Sequence, residues 1–458
     1  MWGEGWMEGG WQGAMEMNRR EFLQAGMGAG VGLAWASGAG GAERKGEELN
    51  VVLIGAGQRG QTLMQSAVEI PGVRFRAVCD IWPYRRKSAV SLAGSYAQEV
   101  KEYGDYREML AKEGGVDAAI IATPDFVHAE QAIGCMRGGL HVYCEKPMAE
   151  TAEGARSMVR AMRQTGKLLQ IGYQRRSNPR YQHVYEKLVQ EAKVTGRVTH
   201  ASGQWVWPVR EDLGWPKRFA IADEELKRQG YGNMQEFRNW RHYRKYTAGT
   251  FADLGVHQID VANWFLGVTP RSVLASGGTD YYKDWQWPDN IMAIFEYETA
   301  GGVVRGVYQV LSTTSAGGGC FEQFMGVEGS IRISEEARST KVYREAYAPD
   351  WERWVSLGYL AREPSAGATT QAAGSRPADP NAIRVLETGQ LVRYDLPVVL
   401  EKQPVQYHLE NFVGAIRGKG KLACPGEVAF RSEAAIWKVR EAMEGGKRVM
   451  FTAEDVAV

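Results

Sequence analysis

The sequence predicts an α/β protein in two parts, a parallel sheet covered by helices on both faces followed by an α+β unit built on antiparallel strands. Three observations carry this. Between about 50 and 172, short and nearly continuous apolar runs alternate with helical patterns, as strands buried on both faces require. The first run leads straight into a glycine-rich turn. From about 197 to 333 the pattern changes to alternating strands, some joined by turns such as Ala300-Gly-Gly302, as hairpins require.

The chain has 458 residues, enough for two or more domains with separate cores. Its 55 basic and 54 acidic residues leave a net charge of +1, so charge gives no argument for nucleic acid or an anionic surface as partner. A small molecule fits better. Five cysteines (Cys79, Cys135, Cys144, Cys320, Cys424) form no CxxC and no Cys/His cluster, which points away from a disulfide framework and from a metal site. Trp205, Trp207, Trp215, Trp240, Trp264, Trp285 and Trp287 crowd one stretch; indole faces suit the apolar faces of sugar rings, although packing is the commoner use of a tryptophan.

Residues 1–49 read as a leader. Asn18-Arg-Arg-Glu-Phe-Leu-Gln24 precedes a Gly/Ala-rich stretch to about Ala42, the pattern of a twin-arginine export signal. The stretch is too rich in glycine to predict a stable membrane span. Met17 is a second candidate start, and Ala34-Trp-Ala36 and Gly40-Gly-Ala42 both offer cleavage sites. Such a signal predicts export of the folded chain, with any cofactor loaded, to the periplasm.

Residues 50–172 read as a nucleotide domain. Leu49-Asn-Val-Val-Leu-Ile54 enters Gly55-Ala-Gly57-Gln58-Arg59-Gly60, and a helical pattern follows through Leu63, Met64, Ala67 and Val68. Gly55 permits the tight turn, Gly57 lets backbone approach a pyrophosphate, and Gly60 lets helix and strand pack closely. The pyrophosphate would lie at the helix N-terminus. The next strand, Val73 to Cys79, ends at Asp80, twenty residues after Gly60, where an acid can accept from a ribose 2′-hydroxyl. This favours NAD, while Arg85 and Arg86 leave room for NADP. Val116 to Pro124 and Leu140 to Cys144 are further buried strands, with a helix from about His128 to Met136 between them. In a parallel sheet Gly55, Asp80, Thr123 and Lys146 then share the C-terminal edge, where ligands bind.

GAGQRG, VCD, ATPDFVHAEQAIGCMRGGLHVYCEKPMAET and GTFADLGVHQIDVANWFLG, in this order and spacing, resemble the glucose-fructose oxidoreductase / inositol dehydrogenase / MocA (Gfo/Idh/MocA) family over about 50 to 450. The resemblance implies an N-terminal Rossmann domain and, over 173–458, a C-terminal α+β domain with an open, mainly antiparallel sheet that commonly mediates homo-oligomerisation. It implies reversible hydride transfer between a sugar or cyclitol carbon and NAD(P). By position, Lys146 looks like the family lysine that contacts the reacting hydroxyl, Glu145 borders the nicotinamide site, and the Lys146–Pro147 bond resembles one that is cis in many members. Pro124, His128 and Gln174 resemble cofactor-lining positions.

Asp253, His257 and Asp260 fall at i, i+4 and i+7, so on an α-helix they share a face. Asp253 is then expected to orient His257, which takes up the substrate proton while Lys146 holds the carbinol oxygen. Tyr173, Arg176, Asn178, Trp240, Arg241 and Tyr243 are the expected substrate contacts, since guanidinium forks and aromatic faces suit a polyol or sugar acid. Residues from about 361 to 381, rich in Ala, Gly, Ser, Thr and Pro, read as a surface insertion, and two helices are expected from Tyr407 onward. Two other functions stay open beside the dehydrogenase: an NAD-dependent glycosidase or lyase that oxidises its substrate only transiently, and a sugar-binding sensor without turnover.

Overall fold

The computed structural model describes residues 48–363 and 391–458. The twin-arginine leader and nearly all of the expected insertion lie outside the described residues.

Six strands, β1 (Leu49–Ile54), β2 (Val73–Cys79), β3 (Lys101–Tyr103), β4 (Ala118–Ile121), β5 (His141–Cys144) and β6 (Leu169–Ile171), form a sheet in the order β3-β2-β1-β4-β5-β6. All pairs are parallel. The apolar runs of β1, β4, β5 and β6 are buried on both faces, while Arg74 and Arg76 of β2 and the edge strand β3 stay exposed; the covering helices are α1 (Gln58–Val68), α2 (Pro83–Ser95), α3 (Tyr106–Lys112), α4 (Asp125–Arg137) and α5 (Ala152–Thr165). The register aligns the strand ends. Ile54 pairs with Cys79 and Ile121, Ile121 with Cys144, and Cys144 with Ile171, so the residues that follow emerge in one row. Strand order reverses between β1 and β4, and the crevice at such a reversal is where ligands sit in doubly wound sheets.

Among the described residues the second sheet has ten strands, including β7 (Val198–Val206), β8 (Pro270–Gly278), β9 (Asn290–Thr299), β10 (Gly302–Leu311), β11 (Phe321–Gly326) and β12 (Gly329–Ile333). All its pairs are antiparallel except β7 with β10. Alternate side chains on one face are buried, among them Phe295, Tyr297, Val304, Tyr308 and Ile331. After β6 the short helix α6 (Pro179–His183) leads toward this sheet, and α7 (Val256–Leu266) carries the DLGVHQID segment. Two long C-terminal helices, α8 (Pro404–Ile416) and α9 (Gly426–Gly445), follow. Sequence order places α8 in the second domain, but Val405, Leu409, Phe412 and Val413 pack in the core beneath β1, β2 and β4. The N-terminal sheet is thus closed on one side by a helix from the far end of the chain. Among the described residues no helix is long and apolar enough to cross a membrane.

Candidate active site

The glycine loop is shaped by close approach. Gly55 has φ +90°, and a Cβ there would stand 2.6 Å from the Ala122 carbonyl carbon; a Cβ at Gly60 would stand 1.9 Å from the Gly55 oxygen. A Cβ on Gly57 would meet nothing within 4 Å, so the open side of the turn, before the N-terminus of α1, is clear for a pyrophosphate. Asp80 closes this end: its carboxylate accepts from the backbone N–H groups of Ala56 and Trp82, both at 2.8 Å. Burial pushes the Asp80 carboxyl up against the pull of these two donors. These residues fit a dinucleotide, with Gly57 and the start of α1, through Gln58, at the pyrophosphate and Asp80 at the ribose.

Arg59, on the first turn of α1, joins this end to the next. Its Nε donates to Glu145 Oε1 at 2.9 Å and its Nη2 to Gln174 Oε1 at 2.8 Å, and Gln174 Nε2 reaches Glu335 across to the second sheet. Thr123 donates to Gln131, and Pro124 caps α4. His128, expected to line the cofactor, is buried, with one ring nitrogen 2.8 Å from the Pro147 carbonyl and the other 2.7 Å from that of Thr123. It ties the loops after β4 and β5 together and has no ring nitrogen left for a ligand.

Lys146 follows β5 and the Lys146–Pro147 bond is cis. Its Nζ donates to the Asp253 carbonyl and lies 3.3 Å from Asp253 Oδ1. Asp253 Oδ2 accepts from Arg241 Nε at 3.0 Å. Burial would raise the Asp253 carboxyl, but the charges of Arg241 and Lys146 hold it down at about 2. The expected Asp253–His257 pairing is therefore corrected. Residues Phe251–Gly255 form a π-helical turn ahead of α7, and the carboxylate turns to two cations rather than to the imidazole.

His257 is buried, stacks on Trp205 with ring centres 5.8 Å apart, and meets Tyr173 edge to face. Its Nδ1 has no hydrogen-bond partner among the described residues. Burial first, then the Lys146 charge, hold its pKa well below the ordinary 6.5, so the ring is neutral.

Several expected substrate contacts are committed elsewhere. Arg176 grips buried Asp260 with Nε at 2.8 Å and Nη2 at 2.8 Å, and Ser432 donates to the same carboxylate. Asn178 is fully buried and caps α6, accepting from Arg180 N at 2.9 Å. Tyr173 is buried and donates to Glu433 on α9. Trp240 and Tyr243 pack in a small cluster with Trp82, Tyr231 and Tyr246, which fastens the segment after Asp80 to the second domain. Arg241 serves Asp253 and lies over the Trp240 ring.

Glu433 escaped sequence reasoning. It accepts from Met148 N at 2.8 Å as well as from Tyr173, so α9 fixes the turn just after Pro147. Burial pushes its carboxyl up to about 8. A glutamate amid the apolar positions of a long helix was the available signal. A separate hollow of about 510 Å³ beside α4 and α5 is lined by Tyr106, Glu130, Arg137 and Arg160 among others and contains none of the site residues.

Two family models match the chain: the oxidoreductase family NAD-binding Rossmann fold over residues 49–173 and the oxidoreductase family C-terminal alpha/beta domain over 221–451. The chain belongs to the Gfo/Idh/MocA oxidoreductase family. NAD is the cofactor of its N-terminal domain. Among family relatives, inositol 2-dehydrogenase 2 of Saccharopolyspora erythraea is 26% identical over 78% of this chain and 98% of its own length. A 4-carboxy-2-hydroxymuconate-6-semialdehyde dehydrogenase of a Sphingobium strain is 34% identical, over 31% of this chain and 43% of its own length, so the match spans less than half of that relative. The WlbA dehydrogenase of Bordetella pertussis, solved with NADH and UDP-GlcNAcA, shares the fold at TM-score 0.60 and 19% identity, covering 88% of this chain and 99% of that one.

Proposed function

We propose that this family member transfers a hydride between a carbinol carbon of a sugar, glycoside or cyclitol and NAD. The observation that carries it is a pair of groups with unspent hydrogen-bonding capacity, Lys146 after β5 and His257 at the start of α7. An ammonium has three donors, and Lys146 gives two to Asp253, leaving one for a substrate oxygen. The neutral His257 presents a nitrogen without a partner, close enough to Lys146 to respond to its charge. Lys146 orients the carbinol oxygen and steadies charge building on it; His257 receives the hydroxyl proton. NAD, when bound, supplies the acceptor for the hydride that leaves carbon. Names of relatives support the substrate class, inositol among them.

The test is Lys146→Met. NADH formation from a panel of sugars and cyclitols is expected to fall to background, while nucleotide released from the denatured variant stays at the wild-type amount. Near-normal NADH formation by the variant overturns the assignment.

Export belongs to the same proposal and rests on Arg19 and Arg20 with the stretch that follows. So does assembly into a homo-oligomer through the second sheet, supported by apolar side chains exposed on its outer face.

A further inference from the structure

One more cation borders this site. Arg210, just beyond β7, lays its guanidinium carbon 3.3 Å from the centre of the Trp207 ring. Its backbone N–H donates to the Tyr282 hydroxyl at 2.6 Å, which fixes where the side chain starts. Two runs of ring contacts lead from Arg210 back to the reacting corner. Along one, Trp207 packs edge-on against Trp205, ring centres 5.5 Å apart, and Trp205 stacks on His257. Along the other, Tyr282 stacks on Trp285 and Trp285 on His242, each at 4.0 Å, and the next residue back is Arg241, which holds Asp253. Arg210 also responds to the charges of Asp253 and Arg241, so both runs end beside the corner that holds Lys146.

What sets Arg210 apart is that its charge is unspent. Arg241 is paired with Asp253, Arg175 with Glu322 and Arg176 with Asp260. Among the described residues no carboxylate comes within ion-pair distance of the Arg210 guanidinium, and it donates no hydrogen bond. Half-burial draws its pKa down to about 10, so it stays cationic at neutral pH. A guanidinium laid flat on an indole has its plane set in advance and its N–H edge free, the arrangement that receives a carboxylate through two parallel hydrogen bonds.

We propose that Arg210 binds substrate, and that the substrate is an acidic sugar, a uronic or aldonic acid or a glycoside of one, whose carboxylate lies on Arg210 while its carbinol meets Lys146. One unspent guanidinium balances one carboxylate. A phosphate ester, with nearly twice the charge, would find the nearby cations Lys146 and Arg241 already facing Asp253. The proposal rests on the oxidoreductase reading above and deepens it.

The experiment follows NADH formation by the full chain and by Arg210→Gln with D-glucuronate against D-glucose, D-galacturonate against D-galactose, D-gluconate against D-sorbitol, and D-glucose 6-phosphate. The wild type is expected to prefer the acid in at least one pair. Arg210→Gln should lower the acid-over-neutral ratio of kcat/KM by roughly 10- to 100-fold, the size of a lost charged hydrogen bond, through KM for the acid rather than kcat. Arg210→Lys should restore part of it. Equal use of acid and neutral sugars, an unchanged ratio in Arg210→Gln, or a preference for the phosphate overturns the proposal. If neither these compounds nor myo-inositol yields NADH, the oxidoreductase reading fails by itself, and tryptophan fluorescence titration with glucuronate then decides for Arg210: saturable binding lost in Arg210→Gln upholds it, and no binding overturns it.

Discussion

Asp253 stands between two cations, and this sets the protonation of the groups around it. With its carboxyl held at about 2 it is an anion at any working pH, and it spends that charge on Lys146 and Arg241. His257 is pushed the opposite way in charge. Burial and the Lys146 ammonium both penalise the imidazolium, so a base whose pKa is lowered stays deprotonated through the range where an ordinary histidine titrates. Lowering the pH from 8 to 6 thus leaves His257 able to accept a proton, and kcat/KM should show no inflection near 6.5. An inflection at that pH that disappears in His257→Gln would contradict this. Lys146, Asp253 and His257 were legible in the sequence because strand-end position and spacing single them out. Their pairing was not, because i, i+4 geometry assumes α-helical backbone and residues 251–255 take a wider turn. Nor was the fate of Arg176, whose partner Asp260 lies 84 positions along the chain and is itself held by Ser432, 172 positions further on.

Elements were more legible than their neighbours in space. Continuous apolar runs identified β1, β4 and β5, since strands covered on both faces have no polar side to show, whereas β2 alternates, with Arg74 and Arg76 exposed, and was read from its place before Asp80. The helices after Tyr407 were expected, but nothing local reveals that α8 packs under the first sheet or that α9 carries Glu433 to the turn after Pro147. Asn178 is different, because its signal was local and pointed elsewhere. Asparagine followed by proline is a helix start, with Asn at the cap and Pro in the first turn, and the structure shows that use. Asn178→Ala is therefore expected to cost about 1 kcal/mol of unfolding free energy by removing the bond to Arg180 N, while KM stays at the wild-type value. Urea melts and steady-state kinetics read both quantities. A raised KM with unchanged stability would return Asn178 to the substrate.

At the scale of the whole molecule the ten-stranded sheet has two unlike faces. Its inner face is buried, but alternation along β8, β9 and β10 turns other apolar side chains outward. Leu274 is 40% exposed, Ile294 46% and Val307 43%. The register makes them one row, because Leu274 pairs with Ile294 and Ile294 with Val307, and Met292 extends it on the same face. Scattered exposed hydrophobes need no explanation, whereas a contiguous row on a flat sheet does. A second copy of the same face suits it: a two-fold axis sets like patch against like patch, and the flanking Glu296 and Arg305 already pair with each other within the sheet. Replacing Ile294 and Val307 together by lysine would then set like charges against each other across the axis. Light scattering is expected to give a multiple of the chain mass for the wild type and the monomer mass for the double variant. Both side chains point away from the buried face, so the lysines should be accommodated without loss of the fold, which circular dichroism checks. A wild type that is already monomeric at micromolar concentration, or a double variant that keeps the wild-type mass, would remove the sheet face as the site of assembly.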